Sequence, residues 1–272
     1  MNSNELALKW RKTFSHVYCV SYAPYKDRRE SLFKELARVG IVHGDYDVGS
    51  PTPFFSIHYT VPNPIEALLL SHPDFKWPKY NKRFNRGALN LAMGHYSVMK
   101  EAMSLGHLRI LVIEDDIAFL KSLDKIAEIL DGIPLEADLI MYDKVTNWKE
   151  GWDYVLENSK TVNGLYVKLS AKNVLWTTSC YSVTSKAMNH ICESQEKCFN
   201  VADFYTNDFV ASDQYGARML LMHQGIKRYS SVTNLACQKP SEETISDHGS
   251  TNSVYNQIGL FDCYINLEDY NI

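Results

Sequence analysis

The spacing of apolar positions changes several times along the chain, and each change predicts an element. HVYCVSY at 16–22 is β-branched and aromatic and predicts a strand. Pro24 then stands where a helix can begin. Across 25–39, Leu32, Phe33, Leu36, Ala37 and Val39 form an apolar face with charges opposite, and Gly40 is a natural stop. Ile41 to Val48 predicts a second strand. Pro51, Pro53, Pro62 and Pro64 break the next stretch, so 49–86 predicts an irregular excursion with a short helix near 64–71. The clearest helix is GALNLAMGHYSVMKEAMSL at 87–105, with Leu91, His95, Val98, Ala102 and Leu105 on one face. LRILVIE at 108–114 carries a continuous apolar run from Ile110 to Ile113 and predicts a strand buried on both sides. A short helix follows with Leu123, Ile126 and Leu130, then a strand in ADLIMYD at 137–143.

The second half is less regular. Strands are predicted at 165–169, 173–184 and 226–232, and helices at 185–194 and 212–223. From 238 onward the chain is polar and predicts a tail or lid. Strands alternating with helices predict an α/β fold with a mostly parallel central sheet flanked by helices. Ligands of such sheets sit beyond the carboxyl ends of the strands. Acidic residues stand at three predicted strand ends: Asp115 and Asp116, Asp143, and Asp27.

Composition narrows the picture. The 272 residues carry a formal net charge of −4, which argues against a nucleic-acid binder working by bulk charge. The length suits one large domain or two small ones, with a sizeable core. No apolar run is long enough for a signal-peptide core or a membrane span. The six cysteines are scattered without a CxxC pair, which is not a zinc spacing, and Cys192 and Cys198 read as buried thiols. A reduced, cytoplasmic chain is expected. Lys76, Lys79, Lys82, Arg83 and Arg86, interleaved with Phe75, Trp77, Tyr80 and Phe84, form a basic, aromatic patch. It suits an anionic acceptor or peripheral contact with a membrane, or a loop packed by its own rings. Aromatics are 12% of the chain and gather at 54–59, 72–84, 142–154, 204–215 and 255–270. Tyr and Trp there suit a rim that stacks on a ring-bearing ligand, while core packing is the default for any one of them.

The sharpest chemical feature is LRILVIEDD. A buried strand delivering Glu114, Asp115 and Asp116 together concentrates repelling charge, which a divalent cation relieves. Carboxylate oxygens suit Mg²⁺ or Mn²⁺, which typically bridge a substrate's phosphates. The plainer reading is that Asp115 or Asp116 caps the next helix.

The ordered set of motifs resembles the lipooligosaccharide-type glycosyltransferases of family 25. VYCVSYAPYKDRRESLFKELARVGI is similar to that family's opening strand and helix, and GALNLAMGHYSVMKEAMSLGHLRILVIEDDIAFL to its central block. ADLIMYD, NVLWTTSCYSVTSKAMNHI, ASDQYGARM and LACQKPSEETIS resemble later blocks in the same order, from about residue 16 to about 250. Asn90 and Gly94 depart from the usual central helix, and the 49–86 loop is longer than the pattern. The resemblance implies a single GT-A type, Rossmann-like domain. Residues 16–145 would form its nucleotide-sugar and metal half, 146–250 its acceptor side, and 251–272 a tail. It implies inverting, metal-dependent transfer, with UDP-galactose the expected donor and a cell-surface glycan or lipid-linked oligosaccharide the acceptor.

By position, the resemblance makes Asp116 the main ligand of Mn²⁺ or Mg²⁺, with Glu114 and Asp115 toward the ribose or base. Ser21, Tyr22 and Arg28, after the first strand, are expected around the nucleotide; Arg28 also reads as part of a solvated helix face with Arg29. An inverting transfer needs a general base. Asp213 is the first candidate, with Asp143 second; Asp213 equally reads as a first-turn acid after Ser212. His248 is a candidate late metal ligand or an exposed loop histidine. His95 reads as a core histidine. Gln238 and Ser246 enter through the resemblance alone. A sugar-nucleotide-binding protein of the same fold without turnover is the alternative. A nucleotidyltransferase is disfavoured because no GxGxxG follows the first strand.

Overall fold

The structure is a computed structural model, described here for residues 1–42, 54–60, 86–143, 156, 160–169, 179–197, 225–239 and 269. Helix α1 (Ser3–Thr13) opens the chain on a capping box: the Asn2 side chain accepts from the Glu5 N–H, and Glu5 reaches back to Asn2. Then come β1 (His16–Tyr22), α2 (Lys26–Arg38), β2 (Phe55–Thr60), α3 (Arg86–Ser104), β3 (Arg109–Glu114), β4 (Ile117–Phe119), α4 (Leu123–Asp131) and β5 (Leu139–Met141). The remaining elements are β6 (Thr161–Val162), β7 (Tyr166–Lys168), β8 (Cys180–Thr184), α5 (Ser185–Lys197), β9 (Arg228–Ser231) and β10 (Ala236–Gln238).

Eight strands form one sheet in the order β2-β1-β3-β8-β5-β9-β7-β6, and β10 pairs with β4 in a separate two-stranded sheet. In the large sheet β1, β2, β3, β5, β6 and β9 run one way, while β7 and β8 run the other. The sheet is therefore mostly parallel in strand direction, as the alternating pattern implies.

Alternation along each strand builds two cores. Val17 and Cys19 of β1, Leu111 and Ile113 of β3 and Ile140 of β5 face Leu6, Trp10, Leu32, Leu36, Ile126 and Leu130 of α1, α2 and α4. Tyr18 and Val20, Ile110 and Val112, and Leu139 and Met141 face Val98, Met99 and Ala102 of α3 and Ala187, Met188 and Ile191 of α5. The result is a three-layer α/β/α arrangement. Two glycines permit close approach. Gly40 has φ +85°, and a Cβ there would lie 2.2 Å from the Ser3 carbonyl oxygen. At Gly94 a Cβ would meet Val20 Cγ1 at 2.6 Å and Thr60 Cγ2 at 3.0 Å. The departure at Gly94 is thus the contact that seats α3 on β1 and β2.

Several sequence expectations are corrected. The span 49–86 is not wholly irregular: 55–60 forms β2, pairing parallel with β1 from Val17–Phe55 to Tyr22–Thr60. No proline falls inside FSIHYT, so its backbone donors stay available. Ile41 and Val42 form no strand, and 43–48 lie outside the described residues. Leu105 does not complete the buried face of α3; it lies beyond the helix end and is 51% exposed. Tyr142, Phe54 and Phe55 are buried in the core rather than on a rim. Four further tyrosines, Tyr18, Tyr166, Tyr181 and Tyr229, are buried too. Asp27 stands not at a strand end but in the first turn of α2, where it is exposed. The helices expected at 64–71 and 212–223, the basic patch at 72–86 and Cys198 lie outside the described residues. Cys192 is a buried free thiol, as expected. No helix among the described residues is long and apolar enough to cross a membrane.

Candidate active site

Parallel pairing of β1 with β3 sets Val20 opposite Glu114, so both strands deliver their carboxyl ends to the same edge. Glu114 closes β3, and Asp115 and Asp116 form the turn into β4. Neither aspartate caps a helix; the next helix, α4, is capped by Ser122, whose side chain accepts from the Lys125 N–H.

Asp115 is buried and accepts from Ser21 Oγ at 2.6 Å and from the Tyr22 backbone N–H. Burial raises its pKa, while Ser21 and then Arg28 oppose the rise. The Asp116 side chain is about one-tenth exposed. Its Oδ2 accepts from Arg28 Nη1 at 3.2 Å and from Gln238 Nε2 at 3.0 Å. Its Oδ1 is buried with no hydrogen-bond partner among the described residues. Burial first, then the charges of Glu114 and Asp115, push its pKa up to about 7. Arg28 Nη1 also lies 3.7 Å from Asp115 Oδ1, and its guanidinium packs over the Tyr25 ring at 4.6 Å. Tyr25 in turn meets Tyr22 edge-on.

Three supporting residues carry little signal in the sequence. Arg29 is buried and donates to Ser21 Oγ (3.2 Å), the Tyr22 carbonyl (2.9 Å) and the Ala23 carbonyl (2.7 Å). It sets the loop after β1, a role hidden because Arg28 and Arg29 look alike in sequence. Lys239 donates its backbone N–H to the Asp116 carbonyl at 2.6 Å and Nζ to Ser31 Oγ at 2.7 Å. Ser179 accepts the Glu114 N–H on its carbonyl at 2.9 Å and donates its hydroxyl to Asp143 Oδ2. It joins two acidic strand ends, and its one sequence signal is its place in the small-residue block before β8.

Asp143 is buried two residues beyond β5, on the same side of the sheet as Glu114. His95 is a core histidine: Nδ1 is 3.0 Å from the Tyr181 hydroxyl and Nε2 is 3.5 Å from Glu114 Oε1. Asp213, His248 and Ser246 lie outside the described residues. Ser21, Tyr22, Arg28, Asp115, Asp116 and Gln238 are therefore brought together, with Glu114 and Asp143 beside them.

The donor set fits a hard cation in one respect. Asp116 Oδ1 is a buried carboxylate oxygen without a hydrogen-bond partner among the described residues, and Mg²⁺-type ions use one or two carboxylates and complete their shell with phosphates and water. Among the described residues no group of three or more His, Cys, Asp or Glu is placed to hold a metal ion, so substrate phosphates and water would have to complete the shell.

Fold and site together define an α/β protein with an acidic turn at the carboxyl end of its sheet, held between a guanidinium and an amide. No family model matches the chain, and no curated protein matches it in sequence. Among solved structures it is similar to mannose-1-phosphate geranyltransferase from Thermus thermophilus, at 10% identity and TM-score 0.36, over 79% of this chain and 73% of that one. It is also similar to mouse xyloside xylosyltransferase 1 in its apo form, at 8% identity and TM-score 0.39, over 84% and 98% of the two chains.

Proposed function

We propose that this protein is an inverting, metal-dependent glycosyltransferase of GT-A type, using a nucleotide-diphosphate sugar. The reading is carried by Asp116: a buried carboxylate at a strand's carboxyl end, one oxygen held by Arg28 and Gln238 and the other without a hydrogen-bond partner among the described residues. Asp116 would hold Mn²⁺ or Mg²⁺, which when bound neutralises a departing diphosphate. Ser21, Tyr22, Arg28, Glu114 and Asp115 would line the nucleotide. The acceptor hydroxyl attacks the anomeric carbon, the bond to the phosphate oxygen breaks with its electron pair, and a carboxylate takes the proton. Asp143 and Asp213 are the proposed bases, and His248 a further metal ligand.

The finer assignments have two sources: the family-25 resemblance gives UDP-galactose as donor and a surface glycan or lipid-linked oligosaccharide as acceptor, while the scattered cysteines and the basic, aromatic patch suit a cytoplasmic site with peripheral contact to the inner face of the plasma membrane. The turnover-free alternative draws on the departures in the central helix, and packing accounts for Gly94.

The test is thermal melting with nucleoside diphosphates and Mn²⁺. UDP and Mn²⁺ together should raise the Tm, and Asp116→Ala should remove most of the rise. A melting curve unmoved by every nucleoside diphosphate with Mn²⁺ or Mg²⁺ overturns the proposal.

A further inference from the structure

Arg28 stands where a second cation has to compete. Its Nη1 lies 3.2 Å from Asp116 Oδ2 and 3.7 Å from Asp115 Oδ1, so one guanidinium nitrogen serves both carboxylates of the turn. Its side chain is only 16% exposed, and the face of Tyr25 holds the guanidinium in place. Asp116 Oδ1 stays buried without a hydrogen-bond partner among the described residues, so Arg28 offsets part of the turn's charge without saturating it.

The geometry points to Arg28 as a built-in counter-ion that must leave Asp116 for a divalent cation to take full hold, and that moves onto the donor's diphosphate when it does. This deepens the proposed function and rests on it. A free divalent ion meets a carboxylate already paired with a fixed positive charge, and like charges a few ångströms apart repel. A diphosphate alone meets Arg28 already engaged. When both arrive, the guanidinium exchanges one carboxylate for phosphate oxygens, which match its planar fork. Metal and nucleotide then favour each other by linkage, and Arg28 adds to the direct attraction between cation and diphosphate. Arg28 is a positioning residue in this scheme as well as a phosphate contact. Its neighbour Arg29 cannot substitute, because its donors are committed to Ser21, Tyr22 and Ala23.

The test is titration calorimetry of Mn²⁺ into wild-type, Arg28→Gln and Arg28→Lys proteins, each with and without saturating UDP. Circular dichroism and the ligand-free Tm report that each variant is folded. Without UDP, Arg28→Gln should bind Mn²⁺ at least tenfold more tightly than wild type. Arg28→Lys, which keeps the charge, should bind within about threefold of wild type. With UDP, wild type should gain at least tenfold in Mn²⁺ affinity and Arg28→Gln at least threefold less than wild type gains. Unchanged or weaker Mn²⁺ binding by Arg28→Gln, or equal coupling in wild type and Arg28→Gln, overturns the counter-ion role while leaving the glycosyltransferase reading intact. Absence of Mn²⁺ binding in all three proteins, with and without UDP, removes that reading and this inference together.

Discussion

Gly94 and Arg29 carry structural weight that their residue types conceal. A methyl group at 94 would press on Val20 and Thr60. Gly94→Ala should therefore cost about 1–3 kcal/mol by overpacking, read as a lower urea midpoint with an unchanged slope. In sequence Gly94 registers only as a departure from a pattern, because the neighbour forbidding a side chain comes from another element. Arg29 is hidden differently: it shares a helical turn with Arg28, and only the curl of the loop after β1 separates a buried donor from one aimed at the acids. Arg29→Ala leaves the Tyr22 and Ala23 carbonyls without their charged donor and should destabilise the fold by about 2 kcal/mol in the same measurement. Glu114, Asp115 and Asp116, by contrast, are legible at once, since a buried apolar run followed by three acids needs a reason.

The two-stranded sheet of β4 and β10 is what holds Asp116 in place. Gln238 is the last residue of β10, paired with Ile117 of β4, so its amide lands on the Asp116 carboxylate. From behind, α2 fixes the same ribbon: buried Glu35 accepts the Phe119 N–H at 2.8 Å, and Arg38 donates to the Phe119 and Leu120 carbonyls. Glu35→Ala removes the partner of Arg38 and of a buried N–H. It should cost about 3 kcal/mol by urea denaturation. It should also shrink the Tm rise given by UDP with Mn²⁺, because the turn loses its support. Neither β4 nor β10 is legible: no alternation or bounding turn signal sets off IAF or ACQ, whereas the equally short β5 and β7 sit inside longer runs that predict strands at 137–143 and 165–169. The long elements are legible: β1 runs over 16–22 as read, and α3 and β3 start or stop within a residue of expectation. β2 escapes a sequence reading because flanking prolines outweigh six good strand residues.

Across the molecule, opposite ends of the sheet titrate with opposite sign. At one end Asp116 is raised to about 7. Its contribution to stability is present below about pH 4, the usual carboxylate value, and is lost as pH rises through about 7. At the other end His16 opens β1, buried, 2.8 Å from Ser56 Oγ and stacked on His107. Burial, then His107, lowers its pKa to about 4, so its contribution is present above about 6.5 and lost as pH falls through 4. His58 and His107 are lowered as well, chiefly by burial. Between pH 4 and 7 the two ends offset each other. Asp116→Asn should make ligand-free stability climb more steeply with pH, and His16→Gln should make it climb less or fall, measured as urea midpoints from pH 4 to 7.5. A parallel pair of profiles would rule out that division. The order of the strands has a consequence for how the molecule comes to exist. β8, made late, inserts between β3 and β5, and Gln238 meets Asp116 across 122 residues of chain. During synthesis the acidic turn is extruded early and waits, without its closing partners, until more than another hundred residues have left the ribosome. Such distant closures slow folding, so the nascent chain spends that interval with an unfinished sheet edge, the stage at which a chaperone would have most to protect.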